Sequence, residues 1–283
     1  QELAVAIQAA QQAGKLLIDK RPTAQVIKHQ AGRFGFDITT TQDMLAHQLI
    51  TEQIKKSFPR DVILSEENET DIDVSTLERF WIVDPLDGTR RYYSGADFFS
   101  TAIALYEHGQ VKLGVVYAPA YKQLLMHAVR GEGVFENGTR VNYSAKEMSL
   151  KEAIVDVGFP HDREAPLDEA FGLYKFLLRG HCRDMLRLGT AVLATCFLPQ
   201  RQFHIYLGFD LKPWDVATGV LFVEELGGVV TDFLGNKPDL FKKIGGKYSL
   251  NFAFAMHPPL HQELVAALRQ FYSHDSQANL SSP

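Results

Sequence analysis

The chain has 283 residues, 46% hydrophobic and 22% charged, which is enough apolar material for one large domain or two packed halves. Its formal charge of −5 argues against a nucleic-acid scaffold, because phosphate backbones demand clustered Lys and Arg. Anionic small molecules stay open, since a divalent cation reverses the local sign of an acidic site.

Leu3, Ile7, Ala10 and Leu17 recur at helical spacing, so the chain is expected to open with an amphipathic helix. Gln and Lys within residues 1–20 argue against a signal peptide, and no apolar run reaches the roughly 18 residues that span a bilayer. Cys182 and Cys196 show no metal-ligand spacing and no disulfide framework, and they read as free thiols of a reducing compartment. A cytoplasmic location is the resulting expectation.

The polar stretch 29–36, with Gly32 and Gly35 around Arg33, reads as a mobile loop. Thr39, Thr40 and Thr41 offer N-caps for a second helix with Leu45, Leu49, Ile50 and Ile54 on its apolar side, closed by Pro59. Val62-Ile63-Leu64 and Phe80-Trp81-Ile82-Val83 are β-prone runs that end in acidic residues. Residues 101–106, 112–117 and 124–129 suggest a meander, and Gly131, Gly133 and Asn137-Gly138 a further hairpin. That Gly-x-Gly opens no helix, which argues against dinucleotide binding.

In the second half, 153–157 and 203–207 are expected strands, and 167–178, 190–197 and 216–226 expected helices, the last stopped by Gly227-Gly228. Strands at 229–232 and 252–256 and a helix at 259–271 follow. The Ser-, Asn- and Gln-rich tail 273–283 is expected to be disordered. Interleaved helices and strands, without repeats or linkers, predict a mixed α and β fold of layered sheets.

Three places put carboxylates at the ends of apolar runs: Glu66-Glu67, Asp84-Pro85-Leu86-Asp87-Gly88-Thr89, and Trp214-Asp215 at a helix start. Taken singly, these are also compatible with a solvated loop, a surface turn and a helix N-cap. In the middle segment Pro85 pushes Asp84 into extended backbone, and Asp87-Gly88 makes a tight turn. Asp84, Asp87 and the Leu86 carbonyl can then face one point. Carboxylates that close repel unless protonated or neutralised, and all-oxygen ligation selects Mg²⁺, Mn²⁺ or Ca²⁺ over zinc. The amides of Gly88 and Thr89 are placed to form a small anion nest.

These residues resemble the inositol monophosphatase family of metal-dependent phosphatases. Asp-Pro-x-Asp-Gly-Thr is unbroken at 84–89, and Trp-Asp-x-Ala-x-Gly at 214–219. Glu66-Glu67, the stretch from Asp37 to Asp43, Gly158-Phe159-Pro160 and Gly189-Thr190-Ala191 fall in the expected order. The resemblance implies a five-layered αβαβα sandwich over 1–272, with halves of about 1–150 and 151–272, acting as a homodimer.

It also implies a mechanism. Glu66, Asp84 and the Leu86 carbonyl would hold one Mg²⁺, and Asp84, Asp87 and Asp215 a second; a third, weaker ion would lie near Glu66. Mn²⁺ would be an alternative, and Li⁺ and Ca²⁺ inhibitors. The chemistry would be in-line attack of a metal-activated water on phosphorus, with Glu66 at the site and Thr89 and Asp43 orienting and deprotonating the water. Without the resemblance, Asp43 reads as a favourable charge in a first helical turn, and Arg33 as solvated surface. Gly88 and Thr89 would steady the phosphate, and Gly189, Thr190, Ala191 and Asp210 would meet substrate.

Two features depart from the pattern. Gly208 stands where inositol-binding members carry a Glu that bonds sugar hydroxyls, with Asp210 two residues on as a possible substitute. Arg90-Arg91 replaces a more usual Thr-Asn pair, which favours a more anionic substrate or simply faces solvent. The implied substrate is a small-molecule phosphate monoester, inositol 1-phosphate first. Fructose 1,6-bisphosphate, histidinol phosphate and 3′-phosphoadenosine 5′-phosphate are alternatives. Direct binding to nucleic acid or membrane is not expected; a non-catalytic association with the transcription machinery is the competing class.

Overall fold

The computed structural model describes residues 1–29, 38–71, 73–160 and 166–278. The glycine loop around Arg33, and Asp37 with it, lie outside the described residues.

The chain opens with α1 (Glu2–Lys20), whose buried stripe is Ala6, Ala9, Ala10, Ala13, Gly14 and Leu17. Small side chains let this helix lie close on its sheet, and the expected anchors Leu3 and Ile7 are only half-buried. A small pair, β1 (Val26–His29) and β2 (Ile38–Thr40), leads into α2 (Thr41–Ser57). Thr40 is the N-cap expected from the threonine run. The inward stripe of α2 runs Asp43, Ala46, Ile50, Ile54 at i+3/i+4 spacing, which leaves Leu45 off it and exposed, against expectation.

Next come β3 (Val62–Ser65), β4 (Arg79–Asp87), the short α3 (Thr89–Tyr93), β5 (Ser100–Glu107), β6 (Gln110–Ala118), β7 (Leu124–Val129), β8 (Gly133–Glu136) and β9 (Thr139–Arg140). They make a seven-stranded sheet in simple order from β3 to β9, parallel only at β3–β4. Both faces of β4 are covered. Phe80 and Ile82 point into one core, Trp81 and Val83 into another shared with α1 and α2.

The second half supplies β10 (Ile154–Gly158), α4 (Pro166–Leu178), β11 (Asp184–Leu186), α5 (Ala191–Phe197), β12 (Ile205–Leu211), α6 (Pro213–Glu225), β13 (Val229–Thr231), the hairpin β14 (Lys243–Ile244) and β15 (Lys247–Tyr248), β16 (Leu250–Ala255) and α7 (Pro258–Ala278). The five-stranded sheet runs β11-β10-β12-β16-β13. One face packs Tyr206, Phe252 and Phe254 against α5 and α6; the other packs Val155, Ile205 and Ala253 against α4 and α7. The layers are therefore helix, sheet, helix, sheet, helix, as the resemblance implied.

One expected element boundary needs correction. The last helix does not stop at 271 but runs to Ala278, taking in much of the tail expected to be disordered. Residues 272–278 contain no Pro or Gly to break it, and Ser273 Oγ donates back to the Gln270 carbonyl at 2.9 Å. The strand β11 was not expected at all, because three residues carry no readable period. Both cysteines are free thiols, and both are buried. Among the described residues no helix is long and apolar enough to cross a membrane.

The helices of the middle layer are closely packed. Helix α6 is buried almost all round, and Gly219 lies against α5, where an added Cβ would sit 2.4 Å from Thr195 Oγ1. Gly219→Ala is expected to cost about 1–3 kcal/mol by forcing the two helices apart. Urea unfolding would read this as a lower midpoint at unchanged slope; an unshifted midpoint would refute the close crossing.

Candidate active site

The site gathers where three elements end on one side of the middle layer. Strand β4 pairs with β5 up to Asp84↔Ala102, then slips register before Asp87↔Ser100. Pro85 lies in that bulge, where its missing N–H costs the ladder least. Asp84 Oδ1 accepts from Leu86 N at 3.1 Å, and Thr101 Oγ1 donates to the Pro85 carbonyl at 3.0 Å. Gly88 then turns left-handed at φ +81°, and a Cβ there would press to 2.8 Å from the Phe98 carbonyl. The motif is thus a rigid strand-to-helix corner.

Parallel register at Ser65↔Val83 sets Glu66 beside Asp84. Asp215 stands in the first turn of α6, its Oδ2 accepting from Lys212 N at 2.7 Å. Asp87, 6% exposed, accepts from Thr190 Oγ1, from Ser100 Oγ at 3.3 Å and from Ala191 N at 3.2 Å. Thr190 and Ala191, expected to meet substrate, do line the cleft with Gly189, but these hydrogen bonds go to Asp87.

Burial raises the Asp84 carboxyl well above the usual range, and the charges of Glu66, Asp87, Asp215 and Asp43 add to this. Asp87 is raised by burial too, against the hydrogen bonds from Thr190 and Ala191. Asp43 sits 2% exposed in the capping box of α2, its Oδ2 accepting from Thr40 N at 2.8 Å and from Thr40 Oγ1. Burial pushes it up to about 6, against the bonds from Thr40 and Thr89.

Thr89 Oγ1 lies 3.0 Å from Asp43 Oδ1 and 2.9 Å from the Leu86 carbonyl oxygen. One hydroxyl hydrogen cannot serve both acceptors. The expected Thr89–Asp43 pair is therefore formed, in competition with the Leu86 carbonyl.

Each aspartate of the cluster faces a donor of its own. Among the described residues no three Asp, Glu, His or Cys side chains are set around one point to hold an ion. The donor chemistry nonetheless fits a hard divalent cation. Glu66, Asp84, Asp87 and Asp215 are all-oxygen, share one cleft, and raise Asp84 by mutual repulsion, which a cation relieves.

The cleft, about 780 Å³ with its mouth, has a second wall of different character, lined by Phe159, Arg187, Tyr206, Phe209 and Leu211. Asp210 adopts φ +54°, and β12 slips register against β16 between Gly208 and Leu211. This folds Leu211 back over Gly208, so that a Cβ at 208 would lie 2.2 Å from Leu211 Cδ1. Asp210 lines the cleft but is paired with Lys212 Nζ at 2.7 Å, which opposes its expected role as a free acceptor for sugar hydroxyls. Of the two arginines, Arg90 lines the cleft and Arg91 packs its guanidinium against Gly189.

Sequence reasoning passed over Arg187, Tyr206 and Asp156. Asp156 is 1% exposed, accepts from Leu188 N at 2.9 Å, and is pushed up to about 7 by burial. Apolar runs hid Asp156 and Tyr206, and the nearness of Arg187 to Gly189 was the one available signal.

A model of the inositol monophosphatase family matches residues 1–274. The chain belongs to that family. It is 34% identical over 237 residues to a Thermotoga maritima protein named fructose-1,6-bisphosphatase/inositol-1-monophosphatase, covering 83% of this chain and 84% of that one. It is 33% identical over 236 residues to Nus factor SuhB of Pasteurella multocida, covering 82% and 85%. Among solved structures, Thermotoga maritima IMPase matches with a TM-score of 0.80 at 30% identity, over 96% of this chain and 98% of that one. As a member of the inositol monophosphatase family, this chain is a phosphatase.

Proposed function

We propose that this phosphatase hydrolyses a phosphate monoester of a small sugar or polyol in a magnesium-dependent reaction. Glu66, Asp84, Asp87, Asp215 and the Leu86 carbonyl would hold the metal. Bound magnesium would neutralise the carboxylates, activate the attacking water and stabilise the departing oxygen. The observation that carries this reading is the Asp43–Thr89 pair beside the buried carboxylates.

Asp43 does the proton chemistry. Burial brings its carboxyl to about 6, close to neutral pH, where a general base is most effective. Thr40 holds one of its oxygens and leaves the other to Thr89. With its hydrogen given to Asp43, the Thr89 oxygen is free to accept from the attacking water. The N–H groups of Gly88 and Thr89, at the corner where β4 ends, would steady the phosphate oxygens.

Phosphate release from inositol 1-phosphate, fructose 1,6-bisphosphate, histidinol phosphate and 3′-phosphoadenosine 5′-phosphate, with Mg²⁺ and with EDTA, tests this. Turnover of at least one, dependent on Mg²⁺ and inhibited by Li⁺ or Ca²⁺, is expected; no release from any would overturn it. Mn²⁺ substitution, a homodimer seen by sedimentation and a cytoplasmic location belong to the same reading. Relatives named Nus factor SuhB favour a second one, association with the transcription machinery. Co-purification of a transcription protein that survives Asp87→Asn would support it.

A further inference from the structure

A second cavity, about 360 Å³ with its mouth, shares no described lining residue with the catalytic cleft. It sits where the stretch between β9 and β10 meets the start of β12 and the first turn of α7. His204 precedes β12 and Asp210 lies near its end, which puts the two residues roughly 20 Å apart along an extended strand. Tyr143, Lys146, Arg201, His204 and His257 supply the polar lining, and none of the described lining residues is acidic.

The two histidines present unmet polar atoms. Ile154 N donates to His204 Nδ1 at 3.0 Å, which leaves the ring proton on Nε2 as a donor. Burial, then the charges of Arg183 and Lys146, hold His204 below its ordinary value, so the ring stays neutral and keeps that tautomer. Its Nε2–H makes no hydrogen bond with a described residue. His257 Nδ1 is buried and likewise meets no partner among the described residues.

Arg201 is held in place. Its backbone takes a left-handed φ of +58°, uncommon for a residue with a side chain. Its guanidinium lies over the Tyr143 ring, 5.4 Å from the centre, and donates to the Ser144 carbonyl. A planar fork fixed this way keeps further N–H groups for an anion at low entropic cost. Lys146 makes no ion pair with a described residue. It acts on Glu152, but that carboxylate does not line the cavity and accepts from Ser149 N at 2.9 Å and Ser149 Oγ at 2.8 Å. The charges acting on His204 are Arg183 and Lys146, and the one acting on Tyr143 is Arg201, so the cavity is cationic on balance.

Fixed cations, an unmet donor and no lining carboxylate suit an oxyanion. We infer that this cavity binds a phosphate-sized oxyanion through Arg201, Lys146 and the His204 Nε2–H, tying the stretch that joins the two sheets to the start of β12.

The probe is inorganic phosphate, titrated into the full chain in EDTA, where the unneutralised carboxylates of the catalytic cleft repel it. The melting temperature is expected to rise saturably by about 2–4 °C, and chloride at matched ionic strength should not reproduce the rise. His204→Asn keeps an acceptor for Ile154 N but removes the Nε2–H, and should raise the half-saturating phosphate concentration about fivefold. Arg201→Gly should raise the melting temperature of the phosphate-free protein, because glycine takes this backbone without strain, yet abolish the phosphate shift. A merely structural role for Arg201 would not give those opposite signs. Glycerol 3-phosphate in the same titration separates two sources of the ligand: a rise with both probes admits a phosphoryl group on a larger molecule, and a rise with phosphate alone identifies the free ion. No saturable rise in the wild type, or a rise that both variants leave unchanged, would overturn the site, and neither result touches the Mg²⁺-dependent phosphatase reading.

Discussion

Asp87→Asn is expected to lower phosphate release about a thousandfold or more while raising the melting temperature measured in EDTA. The two effects have opposite signs because one charge does two things. Asn keeps the volume, its Oδ1 can still accept from Ala191 N, and the Thr190 and Ser100 hydroxyls can turn to accept from its amide. The fold therefore has no cavity to absorb, and the cost is confined to the hydroxyl hydrogens of Thr190 and Ser100, which lose the carboxylate as acceptor. The buried cluster loses one of the charges that raise Asp84, so the metal-free chain gains stability. A relief of about 1 kcal/mol corresponds to a rise of roughly 2–4 °C in a domain of this class.

Metal affinity falls for the same reason. Magnesium at 100 times its Kd would stabilise the wild type by about 2.7 kcal/mol, and the variant should lose most of that shift. The lost charge stabilisation in catalysis, several kcal/mol, accounts for the fall in rate. The pH dependence follows in sign. Asp43, Asp84 and Asp87 hold protons more tightly folded than unfolded, so stability in EDTA is greatest below their ordinary range near 3.8. It falls as pH rises through the raised values, about 6 for Asp43, and Asp87→Asn should flatten that decline. Calorimetry with and without Mg²⁺, beside the phosphate assay, reads every part. Activity within tenfold of wild type would remove Asp87 from the metal set.

Thr89→Ala should separate rate from metal binding. The hydroxyl touches Asp43 and the Leu86 carbonyl, but Ala suits the start of α3 and no charge is removed. Turnover is expected to fall about a hundredfold, at the low end for a lost proton relay, with the Mg²⁺-dependent melting shift retained. Asp43 also loses a hydrogen bond that favours its charged form, so its pKa climbs further. The acid limb of the residual pH–rate profile should move to higher pH. Thr89→Ser should restore most of the rate. Equal losses of rate and of metal stabilisation would place Thr89 in metal binding instead.

The corner at Asp84-Pro85-Leu86-Asp87-Gly88 was legible because Pro and Gly dictate dihedrals locally, and the left-handed Gly88 follows directly. The N-cap at Thr40 and most strands were legible for similar reasons, through local chemistry or a period of two. The approach of Glu66 to Asp84 was not, since it depends on the parallel register of β3 and β4. Family resemblance supplied that link. Tyr206 was hidden more deeply. Its place against Gly158 and Gly208 depends on two residues 50 positions apart becoming neighbours, which no local window contains. Leu45 and the length of α7 were misread where the buried stripe and the absence of a helix breaker outweighed composition.

The packing of Leu211 and Tyr206 on Gly208 bears on which side chains this wall of the cleft can accept. Placing a glutamate at 208 disturbs more than one residue, because its Cβ would collide with Leu211 and crowd the phenol of Tyr206. Leu211 must shift to admit that Cβ, and the Tyr206 hydroxyl must give by a few tenths of an ångström. Substitutions at 206, 208 and 211 are therefore expected to be non-additive, because the three side chains share one contact. What this wall can accept at 208 is therefore set by its neighbours at 206 and 211 together, not by the chemistry of the incoming side chain alone.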